Sequence, residues 1–247
     1  MAVGWEGDAA GAPSEAVRAI LDGDLAALQS ARAARSHASE AEGGEEALMM
    51  LEAAARSGNC EAISFLCDQG VEISSQDAPS LAIAAAHAGQ VSILELLDAK
   101  GCETMLLPRA FWLPPFLPRG TAALNEAASC GHDAVVRWLL RHRADPHQRD
   151  SAGCEPIHLA AIHGHAKVVE VLLEVVDPSV RHQGSTTPLH QAAFGGHMLV
   201  LEALLVAKAE ISEDDGLQRR PIHYAAMRGH CEVLERLLEA GSSATKA

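Results

Sequence analysis

The sequence is poor in aromatic residues. It contains three Trp, one Tyr and four Phe in 247 residues, so that aromatic side chains make up 3% of the chain. Alanine occurs 46 times and leucine 29 times, and the apolar content is therefore mostly small or flexible aliphatic side chains. Because strands are enriched in aromatic and β-branched residues, this composition favours closely packed helices over a β-sandwich.

Positive charge is also scarce. The chain has 19 Lys and Arg against 33 Asp and Glu, which gives a formal net charge of −14. Proteins that bind nucleic acids neutralise backbone phosphates with Lys and Arg, and an acidic chain is poorly suited to this task. We therefore expect no nucleic-acid partner, whereas a protein partner remains compatible with the composition.

The sequence shows no features typical of a targeting or membrane-spanning segment. No stretch approaches the roughly 18 consecutive apolar residues of a membrane helix, and the segment MAVGWEGDAA lacks the basic and apolar regions of a signal peptide. The six cysteines include no CxxC pair, which is typical of reduced thiols rather than of a disulfide framework or a zinc site. We expect a cytoplasmic protein, also present in the nucleus, with no membrane insertion.

Motifs of the common enzyme classes are absent as well. We find no GxGxxG, GxxxxGK[ST], GxSxG or HRD signature. A structural zinc site needs four converging ligands, and no HExxH or paired-cysteine spacing supplies them. The sequence therefore predicts no catalytic activity, no metal, no cofactor and no small-molecule substrate.

What the sequence does contain is an internal repeat. Three segments are close copies and a fourth is weaker: EPIHLAAIHGH (155–165), TPLHQAAFGGH (187–197), RPIHYAAMRGH (220–230) and AALNEAASCGH (122–132). The glycines near their ends are spaced by 33, 32 and 33 residues. Degraded copies upstream keep the glycine, at Gly23, Gly58 and Gly89. These positions predict about seven repeats, with a longer interval of 42 residues before Gly131.

Each repeat has the pattern of two short helices. In the sixth repeat Pro188 suits the first turn of a helix, where its missing N–H needs no partner, and the small pair Ala192 and Ala193 allows close packing. Gly196 can then adopt the left-handed conformation that ends a helix. The second helix has apolar residues at helical spacing, such as Leu201 and Leu204, which predict a buried face.

The TPLHQAA segment, the Gly-His step, the Leu pair and the period near 33 resemble the ankyrin-repeat family. The resemblance implies an all-α solenoid of about seven helix–turn–helix units with β-turn fingers, in which the first units are degenerate and a concave face binds partners. It also implies that seven histidines are structural, because they occupy two repeated family positions: His158, His190 and His223, and His132, His165, His197 and His230.

The repeat pattern divides the chain into five segments. We predict a flexible N-terminus (1–13), a degenerate capping repeat with a linker (14–44), two imperfect repeats (45–105), an aromatic and proline-rich insert (106–119) and four regular repeats (120–247). The insert, LLPRAFWLPPFLPR, occupies the long interval between repeats, and its proline density excludes a regular helix through 114–118.

Two interpretations of the insert remain open. The segment either covers apolar surface between the imperfect and the regular repeats, or presents anchors for a partner, since exposed aromatic residues next to arginines are typical of binding hot spots. The candidate anchors are Phe111, Trp112, Phe116 and Arg119.

The resemblance also supplies contact positions on the regular repeats. In the family these are the finger tips and the two residues after each Ala pair. They correspond here to Ile162, His163, Phe194, Met227 and Arg228, and the nearby candidates are Arg149, Arg181, Gln183, Leu217 and Tyr224. The apolar members of this set could alternatively pack between repeats.

We therefore expect a non-catalytic adaptor or regulatory subunit that is monomeric alone and binds a protein partner through the concave face and fingers. Two alternatives remain open, namely a structural subunit of a large assembly and the ankyrin portion of a larger signalling protein.

Overall fold

The computed structural model describes residues 14–34, 40–74, 77–102, 122–182 and 185–244. Within these residues the chain forms fourteen α-helices, one π-helical segment (Asp98–Cys102) and no strand. The first four helices are α1 (Glu15–Leu21), α2 (Leu25–Ala34), α3 (Glu40–Ser57) and α4 (Cys60–Asp68). The next ten are α5 (Ala78–His87), α6 (Val91–Leu97), α7 (Ala122–Cys130), α8 (Asp133–Arg141), α9 (Pro156–His163), α10 (Ala166–Leu172), α11 (Pro188–Gly195), α12 (Met198–Val206), α13 (Pro221–Arg228) and α14 (Cys231–Ala244).

The chain divides into two compact units between Ile73 and Ser74. In the first unit α1 packs on α2 and α3, and α3 packs on α4. In the second unit five helix pairs are stacked, so that successive first helices contact one another and successive second helices do the same. We call the first helix of each pair the inner helix and the second the outer helix. This architecture confirms the predicted all-α ankyrin solenoid.

Left-handed glycines separate the two helices of each pair. All seven glycines singled out by the sequence have a positive φ, between 73° and 83°. Gly164 ends α9 in this way, and its backbone also makes room for the next repeat. A Cβ at Gly164 would lie 2.6 Å from Nδ1 of His197, closer than atoms in contact normally approach. Only glycine satisfies both the backbone conformation and this close approach.

The histidines of the Gly-His steps connect neighbouring repeats. The Nε2 of His197 donates a hydrogen bond to the carbonyl oxygen of Ile162 at 2.9 Å while its ring lies against Gly164. The same arrangement recurs at His132 with Gly89, at His165 with Gly131 and at His230 with Gly196. These contacts confirm a structural role for this series of histidines.

Two histidines of the second series, His158 and His190, each tie an inner helix to two backbone segments. The backbone N–H of Glu155 donates to Nδ1 of His158, and Nε2 of the same ring donates to the carbonyl oxygen of Val180 at 3.1 Å. His190 repeats this pattern with the N–H of Thr187 and the carbonyl of Arg219. Both imidazoles are buried, and the double role requires the neutral ring.

No helix of the described residues combines the length and the apolar character that a bilayer crossing requires. The apolar side chains instead form the interior of the repeats. The alanine pairs of the inner helices α5, α7, α9 and α11 are buried, whereas on α13 Ala225 is buried and Ala226 is exposed. The outer helices contribute fully buried residues such as Leu172 and Leu204. The low aromatic content follows from this construction, because small residues let the inner helices approach closely.

Candidate functional site

The fingers are closed turns that precede the inner helices. The backbone N–H of Asp215 donates to the carbonyl oxygen of Arg219 at 2.9 Å, and Asp150 and Cys154 make the equivalent bond two repeats earlier. The Oδ1 of Asp215 also accepts the N–H groups of Leu217 and Arg219 at 2.7 and 2.8 Å. Leu217 therefore stands at a rigid finger tip with its side chain 70% exposed.

A partly buried network connects this finger to α13. The hydroxyl of Tyr224 donates to Oδ2 of Asp215 at 2.6 Å, and Nε of Arg219 donates to the same oxygen at 2.9 Å. Burial would raise the pKa of Asp215, but the hydrogen bonds from Tyr224, from the Arg219 side chain and from two backbone N–H groups hold the pKa well below its usual range. Burial and the Asp215 carboxylate raise the pKa of Tyr224 to about 12. The carboxylate is thus ionised and the phenol neutral at physiological pH.

An aromatic patch lies where α11 meets α13. The rings of Phe194 and Tyr224 meet edge to face with centroids 6.2 Å apart, and the guanidinium of Arg228 lies 4.7 Å from the centroid of Phe194. Met227 follows Ala226 on α13 and is 59% exposed. We refer to Phe194, Tyr224, Met227 and Arg228 as the aromatic patch. The structure thus brings together four of the residues that the sequence assigned to partner binding.

Two predicted arginines are engaged between fingers. Arg149 donates from Nη2 to Oε1 of Glu155 and to the carbonyl oxygen of Arg181, both at 3.2 Å. Arg181 donates to the carbonyl oxygen of Asp214 at 3.0 Å and pairs with Glu213 at 3.3 Å. Their side chains remain 47% and 45% exposed. Each arginine therefore links its own finger to the following one while part of its guanidinium faces solvent.

The remaining predicted positions differ in their surroundings. Ile162 is half-buried, and its carbonyl oxygen is the acceptor for His197, whereas His163 is exposed with its ring centroid 6.3 Å from that of His165. The other five predicted site residues lie outside the described residues, and their assignment stays a prediction: Phe111, Trp112, Phe116, Arg119 and Gln183.

Comparison with known protein families identifies the repeats that form this geometry. Residues 81–182 and 157–247 each match the family described as "Ankyrin repeats (3 copies)", and the two matches together cover more than half of the chain. The chain belongs to the ankyrin-repeat family. Ankyrin repeats mediate protein–protein interactions.

Relatives share single segments with this ankyrin chain. Protein phosphatase 1 regulatory subunit 27 of Homo sapiens is 40% identical over 58 residues, which are 24% of this chain and 38% of that protein. Ankyrin repeat-containing protein ITN1 of Arabidopsis thaliana is 44% identical over 57 residues, 22% of this chain and 10% of that protein. Ankyrin repeat domain-containing protein 63 of Homo sapiens is 42% identical over 55 residues, 22% of this chain and 14% of that protein. The chain therefore spans well under half of each relative.

Aligning the ankyrin repeats also points to three residues that the sequence interpretation did not assign to a site. Phe194 follows an Ala pair on one inner helix and meets Tyr224 and Arg228 on the next. The equivalent positions of the third and fourth repeats are His87, Glu126 and Cys130.

These three side chains form a cluster between α5 and α7. The Nδ1 of His87 lies 2.6 Å from Oε1 of Glu126, and Sγ of Cys130 lies 3.6 Å from that nitrogen and 3.9 Å from that oxygen. Burial and the Glu126 carboxylate raise the pKa of Cys130. The rule of two residues after each Ala pair, applied upstream to the Ala pairs that end at Ala86 and Ala128, would have found two of the three.

Proposed function

We propose that this ankyrin chain is a non-catalytic adaptor or regulatory subunit that binds a protein partner through its inner-helix face and fingers. The aromatic patch is the main contact. The observation that carries this proposal is the exposure of Met227 and Leu217, at 59% and 70%, at two positions where the family contacts partners. Apolar side chains held on a rigid backbone at such positions are typical anchors for binding.

The chemistry of the patch defines the partner it would select. Arg228 lies on the face of Phe194 and forms no ion pair within the described residues, so the edge of its guanidinium is available to a carboxylate. Met227 offers a flexible thioether that adapts to different apolar shapes. We infer a partner segment that places an apolar side chain against Met227 and Phe194 and an acidic group near Arg228.

The shifted pKa values support a non-catalytic role. A general acid or base at neutral pH needs a pKa near 7. The pKa of the Asp215 carboxyl is lowered, and the pKa of the Tyr224 phenol is raised to about 12. Both shifts lead away from 7. Burial lowers the pKa of His158 to about 4. These groups are stabilised in single protonation states, as expected of structural hydrogen bonds.

The name of one relative supports the regulatory form of the proposal. A regulatory subunit of protein phosphatase 1 shares 58 residues with this chain at 40% identity. A short shared segment carries the repeat fold more readily than a particular partner. Protein phosphatase 1 is therefore one candidate to include by name in a capture experiment.

The double variant Met227→Ala/Arg228→Ala tests the proposal. Native extract passed over the immobilised chain should yield a retained protein, which is then purified and titrated against each variant. We expect the double variant to bind about 10- to 100-fold more weakly, because it removes an exposed apolar anchor and an unpaired cation. Both side chains are exposed, so the fold should persist, as circular dichroism can verify.

A matched control removes the same kinds of side chain from the outer helices. Leu238→Ala/Lys167→Ala deletes an exposed leucine on α14 and an exposed lysine on α10, and it should leave the affinity unchanged. The variant Trp112→Ala/Phe116→Ala examines the insert separately. If the patch variant and the control bind equally well, the aromatic patch is not the contact surface.

A structural subunit is the second candidate, and a surface on α12 favours it. Leu199 and Val206 are seven residues apart, on one face of the helix, and are 74% and 81% exposed. A permanent assembly would cover such residues. Sedimentation at micromolar concentration distinguishes the two candidates, because a regulated adaptor should be monomeric whereas a structural subunit without its partners should associate.

A further inference from the structure

We propose that His87, Glu126 and Cys130 form a binding site for one Zn²⁺ ion between the inner helices α5 and α7. The ligand atoms would be Nδ1 of His87, Oε1 of Glu126 and Sγ of Cys130, which all lie within 4.8 Å of one another. This site is distinct from the aromatic patch, and the proposal departs from the expectation from sequence that the chain binds no metal.

The separations between the three atoms are close to those of a tetrahedral zinc site. Zn–N distances of about 2.0–2.1 Å and a Zn–S distance of about 2.3 Å imply roughly 3.5 Å between nitrogen and sulfur. Nδ1 of His87 lies 3.6 Å from Sγ of Cys130, and that sulfur lies 3.9 Å from Oε1 of Glu126. The nitrogen and the carboxylate oxygen are closer, at 2.6 Å, because they share a hydrogen bond. Admitting the ion requires these two atoms to separate by less than about 1 Å.

The backbone places the three ligand side chains next to one another. Glu126 and Cys130 are four residues apart on α7 and therefore project from the same face of that helix. His87 is the last residue of α5, and its carbonyl oxygen accepts a hydrogen bond from Nε2 of His132 at 2.9 Å. The same Gly-His contact that stacks the repeats thus fixes the position of the third ligand.

The donor set selects zinc over magnesium or calcium. One imidazole nitrogen, one thiolate and one carboxylate form the mixed set that Zn²⁺ accepts, whereas magnesium and calcium prefer oxygen ligands. The thiolate and the carboxylate together balance the charge of the ion. The side chains of His87 and Glu126 are 58% and 37% exposed, so the ion can enter from solvent and a water molecule can complete the tetrahedron.

Other inter-repeat positions lack this combination. The equivalent residues are Ser129, Leu159 and His163 at the next interface and Ile162, Gln191 and Gly195 at the one after. Among the described residues, the cluster of His87, Glu126 and Cys130 is the one group of three or more His, Cys, Asp or Glu residues with converging ligand atoms. The repeat pattern by itself therefore does not account for a histidine, a glutamate and a cysteine at these three positions.

Zinc binding would join two repeats across the longest interval in the chain. His87 precedes residues 103–121, and both other ligands follow them. The ion would therefore add a direct link between α5 and α7, which already pack on each other. Zinc binds cysteine as the thiolate, so Cys130 would release its proton on binding the ion.

Calorimetry on the full chain without a histidine tag tests the site. We expect one Zn²⁺ per chain, proton release on binding, and a raised melting temperature. Cobalt substitution should give a thiolate-to-metal charge-transfer band and the visible absorption of a tetrahedral ion. Loss of partners outside the coordination shell weakens metal sites by roughly 10–100-fold, so Cys130→Ser and Glu126→Gln, which remove ligands, should each weaken binding by at least about 100-fold.

Cys154→Ser is the matched control, because it removes a half-buried thiol outside the cluster and should change neither the affinity nor the number of protons released. Absence of zinc binding in the wild type, or equal affinity in wild type and Cys130→Ser with the fold intact by circular dichroism, would overturn the site. These results are independent of partner capture, since the aromatic patch lies in the sixth and seventh repeats.

Discussion

Replacing Gly196 with alanine should lower the free energy of unfolding by roughly 1.5–3.5 kcal/mol. The residue has a φ of 73°, and a left-handed conformation costs an L-residue about 1–2 kcal/mol. The new Cβ would also lie 2.5 Å from Nδ1 of His230. The imidazole would have to leave its position and would lose its hydrogen bond to the carbonyl oxygen of Phe194, which adds about 0.5–1.5 kcal/mol.

Gly229→Ala separates the two contributions. Gly229 has the same φ of 73°, but a Cβ there would have no neighbour within 4 Å among the described residues. We expect this variant to lose about 1–2 kcal/mol, which is the backbone cost alone. Urea denaturation followed by circular dichroism measures both variants. Equal losses at the two positions would show that the packing of His230 against Gly196 contributes nothing to stability.

The comparison of these two glycines shows how far the sequence alone could reach. Spacing and the left-handed preference of glycine predicted all seven inter-helix turns, and even the degraded copies at Gly23 and Gly58 follow the rule. The sequence could not show that an imidazole from the next repeat fills the space above the glycine. That contact joins residues more than thirty positions apart, and its geometry depends on how the repeats stack.

The candidate site shows the same limit at the level of side chains. Position on an inner helix predicted that Tyr224 faces the binding surface, yet its hydroxyl is committed to Asp215. The pattern likewise placed Arg149 and Arg181 near the fingers without indicating that they link one finger to the next. A periodic pattern fixes the face on which a residue lies, whereas its partners depend on rotamers and on the neighbouring repeat.

The degraded repeats explain why the cluster of His87, Glu126 and Cys130 was missed. The predicted contact positions follow from the three best copies of the repeat, and the third repeat lacks their TPLH segment. Its Ala pair and glycine are nevertheless in place, so the inner-helix register continues through it. Weak similarity to a repeat consensus therefore reflects altered chemistry at these positions as much as loss of structure.

Acidification from pH 6.5 to pH 4 should remove roughly 2–3 kcal/mol of stability through His158 alone. Burial lowers the pKa of this imidazole from 6.5 to about 4, and the nearby ring of His182 acts in the same direction, while the Glu155 carboxylate and the carbonyls of Val180 and Thr186 oppose the shift only in part. The unfolded chain therefore takes up a proton before the native chain does. The contribution is complete above pH 6.5 and is lost as the pH falls through this window.

His158→Asn provides the comparison, because asparagine already occupies the equivalent position at Asn125. The variant should be less stable than wild type at pH 7.5, since Asn cannot reproduce both hydrogen bonds of the ring. Its unfolding free energy should fall less steeply between pH 6.5 and pH 4, although burial also lowers the pKa of His190 and preserves part of the slope. Urea denaturation at several pH values measures the difference. Parallel curves for the two proteins would mean that His158 is protonated in the folded state as readily as in the unfolded state, which its hydrogen bonds from Glu155 and to Val180 do not permit.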